Sequence, residues 1–245
     1  MATLLGIDIG GTGIKGAPVD TQTGSLVEDR HRILTPQPAT TDAVAGVVAQ
    51  LSKHFDWKGP IGAAFPAVVR QGIVGSAANV DASWIGVDVS AVLRSATGAD
   101  VTVVNDADAA GLAEMEFGAG RHRHGTVLMT TLGTGIGSAL FVGGTLVPNT
   151  ELGHLQIRGK DAEHRASEIV REREGLSWKQ WAKRLNEYFA ALESLLWLDL
   201  IIIGGGVSKK HEKFLPLLET RAEVVPAELF NEAGIVGAAL AARTL

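Results

Sequence analysis

The sequence predicts an α/β protein built from two related halves. Short apolar runs of strand length alternate with stretches whose apolar residues recur at helical spacing. The 30 glycines are not periodic; they cluster where those runs end, the places where backbone turns tightly or approaches a ligand. The tetrapeptide Gly-Thr-Gly-Ile occurs at 11–14 and again at 133–136, almost half of the 245 residues apart. Each copy lies between two strand-like runs, as a duplicated domain would place it.

Residues 4–9 form an apolar strand closing on Gly10-Gly11. Residues 14–19 are a second strand and 26–34 a third, together a β-meander. Thr41 or Asp42 caps a helix over 43–55, with Val44, Val47, Val48, Leu51 and Phe55 on one face. Residues 61–65 and 101–104 read as buried strands, and 107–117 as a helix after the second. The pattern then restarts with a strand at 126–132, a glycine turn at 133–137 and a strand at 138–142. Ser177 and Gln180 predict a capping box ahead of Trp181, Leu185, Phe189, Leu192 and Leu196, a stripe that reads as packing surface rather than cofactor contact. Residues 198–203 are a buried strand running into Gly204, Gly205 and Gly206, and 233–243 a C-terminal helix of small residues. The expected domains are 1–106, with the helix at about 233–245 packing back on it, and a larger 107–232.

Composition narrows the function. The net charge of −5 disfavours a general nucleic-acid binder. The absence of cysteine excludes disulfides, thiolate zinc sites, iron–sulfur clusters and cysteine nucleophiles. The start has no basic n-region, and the longest apolar run, 195–207, is broken by Asp199 and three glycines. A soluble cytoplasmic protein is expected.

Five motifs carry chemistry. Asp8 ends the first strand, and Gly10-Gly11-Thr12-Gly13 turns the chain back into Ile14-Lys15. Glycines let backbone N–H groups face phosphate oxygens; Thr12 adds a hydroxyl, Lys15 a charge, and Asp8 suits Mg²⁺ held through water. A glycine hairpin with an exposed acid is the plain alternative. Thr131 and Gly133-Thr134-Gly135 mirror that turn and read as the second half of a phosphate clamp. No helix follows, as a dinucleotide fingerprint requires, and no Gly-Lys-Ser/Thr, as a P-loop requires. Asp106 would accept a hydroxyl proton as that oxygen attacks phosphorus, and Asn105 would bind a neighbouring hydroxyl. Equally, Asp106 or Asp108 would cap the helix that follows. Glu151, His154 and Glu163 suit the hydroxyls of a sugar; the trio could also suggest zinc, but not at the spacing of a helical His-Glu-x-x-His site. Gly204–Gly206 form a platform for a nucleobase or a phosphate chain, with Ser208 a candidate cap. Lys209 and Lys210 after it, and Arg121-His122-Arg123-His124 ahead of the second turn, are either contacts for a polyanion or solvated charge.

These motifs resemble the ROK family of sugar kinases over essentially the whole chain. The resemblance implies a duplicated actin-like (ribonuclease-H-like) ATPase fold with two domains and a central cleft. It makes 8–15 and 133–137 the phosphate motifs and Asp106 the catalytic base. Asn105, Glu151, His154 and Glu163 become sugar ligands, and Asn79, in Asn-x-x-x-x-Trp at 79–84, lies in the sugar-domain loop. The family's cysteine-rich zinc loop is replaced by Ile157-Arg158-Gly159-Lys160-Asp161-Ala162-Glu163, so no structural zinc is expected, and its usual Pro-Gly is Pro66-Ala67. This zinc-free form, with Gly175-Leu176-Ser177-Trp178, Phe214-Leu215-Pro216 and Val225-Pro226-Ala227-Glu228-Leu229, closely resembles the family's actinobacterial polyphosphate glucokinases.

The resemblance thus implies a cytoplasmic, homodimeric, Mg²⁺-dependent kinase. It would move phosphoryl groups from inorganic polyphosphate, and from ATP, to the 6-hydroxyl of glucose, with mannose a further acceptor. Lys209 and Lys210 would favour polyphosphate. A strictly ATP-dependent glucokinase or mannokinase is the alternative within the family. A sugar-sensing binding protein is the non-enzymatic one; it would need neither Asp106 nor both phosphate turns. The family's repressors carry an N-terminal DNA-binding domain, for which a first strand beginning by Thr3 leaves no room.

Overall fold

The computed structural model describes residues 3–77 and 80–244. The chain divides into two compact units. One runs to Ala113 and resumes at Glu232; the other is Glu114–Asn231. The division therefore falls inside a helix and not directly after the strand ending at Asn105, because the first part of that helix packs with its own unit.

In the first unit, β1 (Thr3–Ile9) and β2 (Ile14–Asp20) form a hairpin in which Ile9 faces Ile14. The third strand is shorter than its expected 26–34. Only β3 (His31–Ile33) pairs with β2, while Leu26 makes an isolated bridge to Val19. The charged run Glu28-Asp29-Arg30 between them offers no apolar alternation to hold a strand. Helix α1 (Thr41–His54) is capped by Thr40, one residue before the expected cap, with its hydroxyl accepting the Ala43 N–H at 3.4 Å. Strand β4 (Ile61–Phe65), buried throughout, runs parallel to β1.

A small hairpin, β5 (Val69–Arg70) and β6 (Ile73–Val74), precedes α2 (Val89–Thr97), a helix the sequence pattern did not reveal. Asp88 caps it and Gly98 ends it in a left-handed conformation. Trp84 is buried edge-on against Phe65 and donates its indole N–H to Ala39 O at 3.0 Å, anchoring the loop before α2. Strand β7 (Val101–Asn105) lies parallel to β4 and leads into α3 (Asp106–Phe117). The sheet order is β3-β2-β1-β4-β7.

The second unit repeats the plan with β8 (Thr126–Leu132), β9 (Ile136–Val142) and β10 (Thr145–Val147). An excursion follows, with β11 (Gln156–Ile157), β12 (Lys160–Asp161), α4 (Glu163–Ala166) and α5 (Glu168–Arg173). Helix α6 (Trp178–Leu195) starts at the expected capping box of Ser177 and Gln180. Its buried face of Trp181, Leu185, Tyr188, Phe189 and Leu192 is core, as expected. Strands β13 (Leu200–Gly204) and β14 (Glu223–Pro226) complete a sheet of order β10-β9-β8-β13-β14. Both sheets thus consist of an antiparallel hairpin, a third antiparallel strand on one side and two parallel strands on the other. Helix α7 (Ala233–Ala241) returns to the first unit, where a Cβ on Gly62 of β4 would overlap the carbonyl of Ala238.

Candidate active site

Asp8 and Lys15 face each other across the β1–β2 hairpin. Facing residues project on the same side of a sheet, and Lys15 Nζ lies 3.0 Å from Asp8 Oδ2. The turn between the strands closes with the Gly10 N–H donating to Gly13 O at 3.2 Å. Its carbonyls are held by the segment that begins with β3. The Thr35 hydroxyl donates to Gly10 O, Gln37 Nε2 to Gly11 O at 3.4 Å and Arg32 Nη2 to Thr12 O at 2.9 Å. With those oxygens engaged, the turn's remaining backbone groups are amides, the arrangement that accepts an anion. None of the three holding residues stood out in the sequence, because they belong to no glycine motif.

Strands β1, β4 and β7 are parallel and end at one edge of the first sheet. Asp106 follows β7, two strand spacings from β1, roughly 10 Å. Asn105, not Asp106 or Asp108, caps α3. Its Oδ1 accepts the Ala107 N–H at 2.9 Å and the Asp108 N–H at 3.1 Å, while its Nδ2 donates to Ala67 O at 3.1 Å. One N–H of its amide is left for a ligand. The side chain of Asp106 is exposed at the first helical position, with Oδ1 also accepting the Ala107 N–H at 2.9 Å. Asn79 lies outside the described residues.

The second and third glycine motifs come together at the equivalent edge of the second sheet. Thr131 of β8 is flanked by Gly137 on β9 and Gly204 on β13. Gly205 has φ +83°, and a Cβ there would overlap the Leu132 carbonyl. The second turn closes with the Gly133 N–H donating to Gly135 O at 3.1 Å, and α5 is tied to it by the Ile169 N–H, which donates to Gly133 O at 3.1 Å.

The sugar trio expected from the sequence assembles beside this turn. Glu163, first residue of α4, accepts the Ile136 N–H at 3.2 Å on Oε2. The Glu151–His154 segment is held to β9 by Ser138, whose hydroxyl accepts the Leu152 N–H at 3.0 Å. His154 Nε2 then stands 3.9 Å from Glu163 Oε1 and 4.0 Å from Glu151 Oε2. Burial pushes the Glu151 carboxyl above its ordinary value; the His154 imidazole opposes this, and the Glu163 charge adds to it. Asp161, not singled out in the sequence, joins the group, with ligand atoms of His154, Asp161 and Glu163 within 4.8 Å of one another. A thiolate zinc site does not fit, since the chain has no cysteine. One imidazole among carboxylates is a set suited to hydroxyl groups.

Beyond the glycine platform, Lys209 and Lys210 are exposed in a tight helical turn. Ser208 is not a cap; it is buried and donates to Gly205 O at 2.8 Å. Glu168 of α5 lies near Gly206. Burial and the Glu172 charge push its carboxyl up, opposed by Lys210 and Arg171. The Arg121–His124 cluster is not beside the second turn. It precedes the start of β8 while the turn follows its end, a separation of about 20 Å along a strand of this length. Arg123 is instead paired with Glu223 at 2.8 Å.

Two sheets of one strand order, each headed by a glycine-turned hairpin, define the duplicated actin-like ATPase fold. The chain belongs to the ROK family, which matches residues 4–167. It is 52% identical over 237 residues to the polyphosphate glucokinase of Mycobacterium tuberculosis (strain H37Rv), covering 96% of this chain and 89% of that protein. Among solved structures it resembles the inorganic polyphosphate/ATP-glucomannokinase of Arthrobacter sp. strain KM, with a TM-score of 0.92, 53% identity and 98% of each chain covered. It also resembles a ROK family glucokinase from Streptomyces griseus in complex with glucose and AMPPNP, with a TM-score of 0.83, 26% identity, and 99% of this chain and 100% of that one covered.

Proposed function

We propose that this chain transfers a phosphoryl group from inorganic polyphosphate, and from ATP, to the 6-hydroxyl of glucose, giving glucose 6-phosphate. The observation that carries the reading is its likeness, at more than half identity over nearly its whole length, to a polyphosphate glucokinase and a polyphosphate/ATP-glucomannokinase.

Asp106 takes the proton of the 6-hydroxyl as that oxygen attacks phosphorus. Its exposure supports this role, and so does the capping of α3 by Asn105. Asn105 offers its remaining N–H to a sugar oxygen. Glu151 and Glu163 accept from sugar hydroxyls, and the His154 imidazole accepts or donates according to its tautomer. Asn79 belongs to the same set in the family pattern. The amides of the turn at 10–13, with Thr12, and of the turn at 133–135, with Thr131, orient the transferring phosphoryl group. Gly204–Gly206, Lys209 and Lys210 carry the rest of the donor. Asp8 offers the hard oxygen that Mg²⁺ prefers and would hold the ion through water, where it would neutralise charge on the donor phosphates. Mannose as a second acceptor, a homodimer and a cytoplasmic location belong to the same reading; no helix among the described residues is long and apolar enough to cross a membrane.

The test is glucose 6-phosphate formation with polyphosphate or ATP as sole donor, with and without Mg²⁺. Transfer from both donors is expected, lost with a chelator and restored by Mg²⁺. Transfer from ATP alone would leave an ATP-dependent glucokinase. Glucose binding with no transfer from either donor would leave a sugar-sensing protein. Elemental analysis is expected to find no stoichiometric zinc; tightly bound zinc would overturn His154 as a sugar ligand.

A further inference from the structure

The duplicated hairpins share a position occupied by opposite charges. Gly13 and Gly135 each precede the isoleucine that opens the returning strand. In both, a Cβ would overlap a charged side chain: the Glu163 carboxylate at Gly135 and the Arg32 guanidinium at Gly13. A carboxylate repels phosphate, whereas a guanidinium attracts it. The first turn is therefore the more favourable of the two for an anion.

The cation that the sequence places at that turn is Lys15, but the ion pair with Asp8 offsets its charge. Arg32 stands opposite Lys15 on the neighbouring strand β3 and is exposed. Its one hydrogen bond among the described residues is the 2.9 Å contact from Nη2 to Thr12 O. No carboxylate among those residues lies within ion-pair distance of it. A guanidinium has five N–H donors, so four remain, in the fork geometry that matches phosphate oxygens.

We infer that Arg32 is a ligand for the phosphates of the donor at the first glycine turn, and that it favours polyphosphate over ATP. The inference rests on the phosphotransferase reading above. Polyphosphate has neither base nor ribose to add binding, so it depends on each cation more than ATP does.

The test compares Arg32→Gln and Arg32→Lys with the unmutated protein. Binding of inorganic tripolyphosphate is measured by calorimetry over a series of salt concentrations, alongside glucose affinity, melting temperature and KM for both donors. Arg32→Gln should weaken tripolyphosphate binding by about tenfold, as expected for one charge-assisted contact. The slope of log affinity against log salt should drop by about one charge. KM for polyphosphate should rise more than KM for ATP, with glucose affinity and melting temperature unchanged. Arg32→Lys should keep the salt slope and regain only part of the affinity. Unchanged binding in Arg32→Gln would overturn the assignment. So would weaker binding at an unchanged salt slope with a lower melting temperature, which would leave Arg32 as a brace for the Thr12 carbonyl. If neither donor supports transfer by the unmutated protein, the functional reading fails, while the tripolyphosphate comparison still decides Arg32.

Discussion

Asn105 and Asp106 are neighbours in sequence, and the structure gives them different work. Asn105 turns its side chain inward to end β7 and start α3; Asp106 keeps its carboxylate exposed. Asp106→Asn preserves shape and a hydrogen bond but cannot take a proton. Its turnover should fall by about 10²–10⁴, the usual loss for a general base, with glucose affinity retained in calorimetry. Near-normal turnover would reduce Asp106 to a charge at a helix end. Glu151 gives a pH signature. Burial raises its folded-state pKa above 4.5, so the folded protein holds this proton more readily than the unfolded chain. Stability from this group is present at low pH and declines as pH rises from the ordinary glutamate value through the raised one. The unfolding free energy of the unmutated protein relative to Glu151→Gln should therefore fall across that window in denaturant titrations. A pH-independent difference would remove burial as the dominant influence on Glu151.

At the level of elements, glycine serves two purposes that a substitution can separate. At Gly62 the obstacle to a Cβ is the backbone of α7 at Ala238 and Ala239. Neither side can yield, so Gly62→Ala should cost about 3 kcal/mol or more in urea unfolding, at the upper end of overpacking. At Gly135 the obstacle is the far end of Glu163, a flexible side chain. Gly135→Ala should leave the melting temperature nearly unchanged, because the carboxylate swings aside. It should raise the KM for glucose, because Glu163 then leaves both the Ile136 amide and its place beside His154. Loss of folding in Gly135→Ala, or unchanged glucose KM, would refute this account of Glu163.

On the scale of the whole molecule, an acidic chain that handles a polyanion must concentrate positive charge locally. The structure sets one expected site apart from the second turn, since Arg121–His124 lies at the other end of β8 and Arg123 is paired with Glu223. It leaves Lys209 and Lys210, both exposed, after the glycine platform. The double variant Lys209→Ala, Lys210→Ala should weaken polyphosphate use more than ATP use, most at low salt where exposed charge is least screened. Equal losses for the two donors would show that the pair is only a solvated face.

The sequence by itself determined the duplication, most of the core strands, the capping box of α6 and the glycine turns. These features are local: strand-length apolar runs, helical periodicity and glycine at chain reversals are set by neighbours along the backbone. It also exposed Glu151, His154 and Glu163 as one group, because they sit on a short excursion of chain. It did not show that β3 would shrink to three residues, that α2 existed, or that Asn105 would be the cap. Only the tertiary structure showed which cation near the first turn is paired with a carboxylate. The sequence singles out Lys15, inside the glycine motif, and not Arg32; strand pairing puts Asp8 opposite Lys15 and brings Arg32 beside the turn. Charge compensation depends on distances of a few ångströms across strands, and residues that far apart in the chain acquire those distances only when the sheet forms.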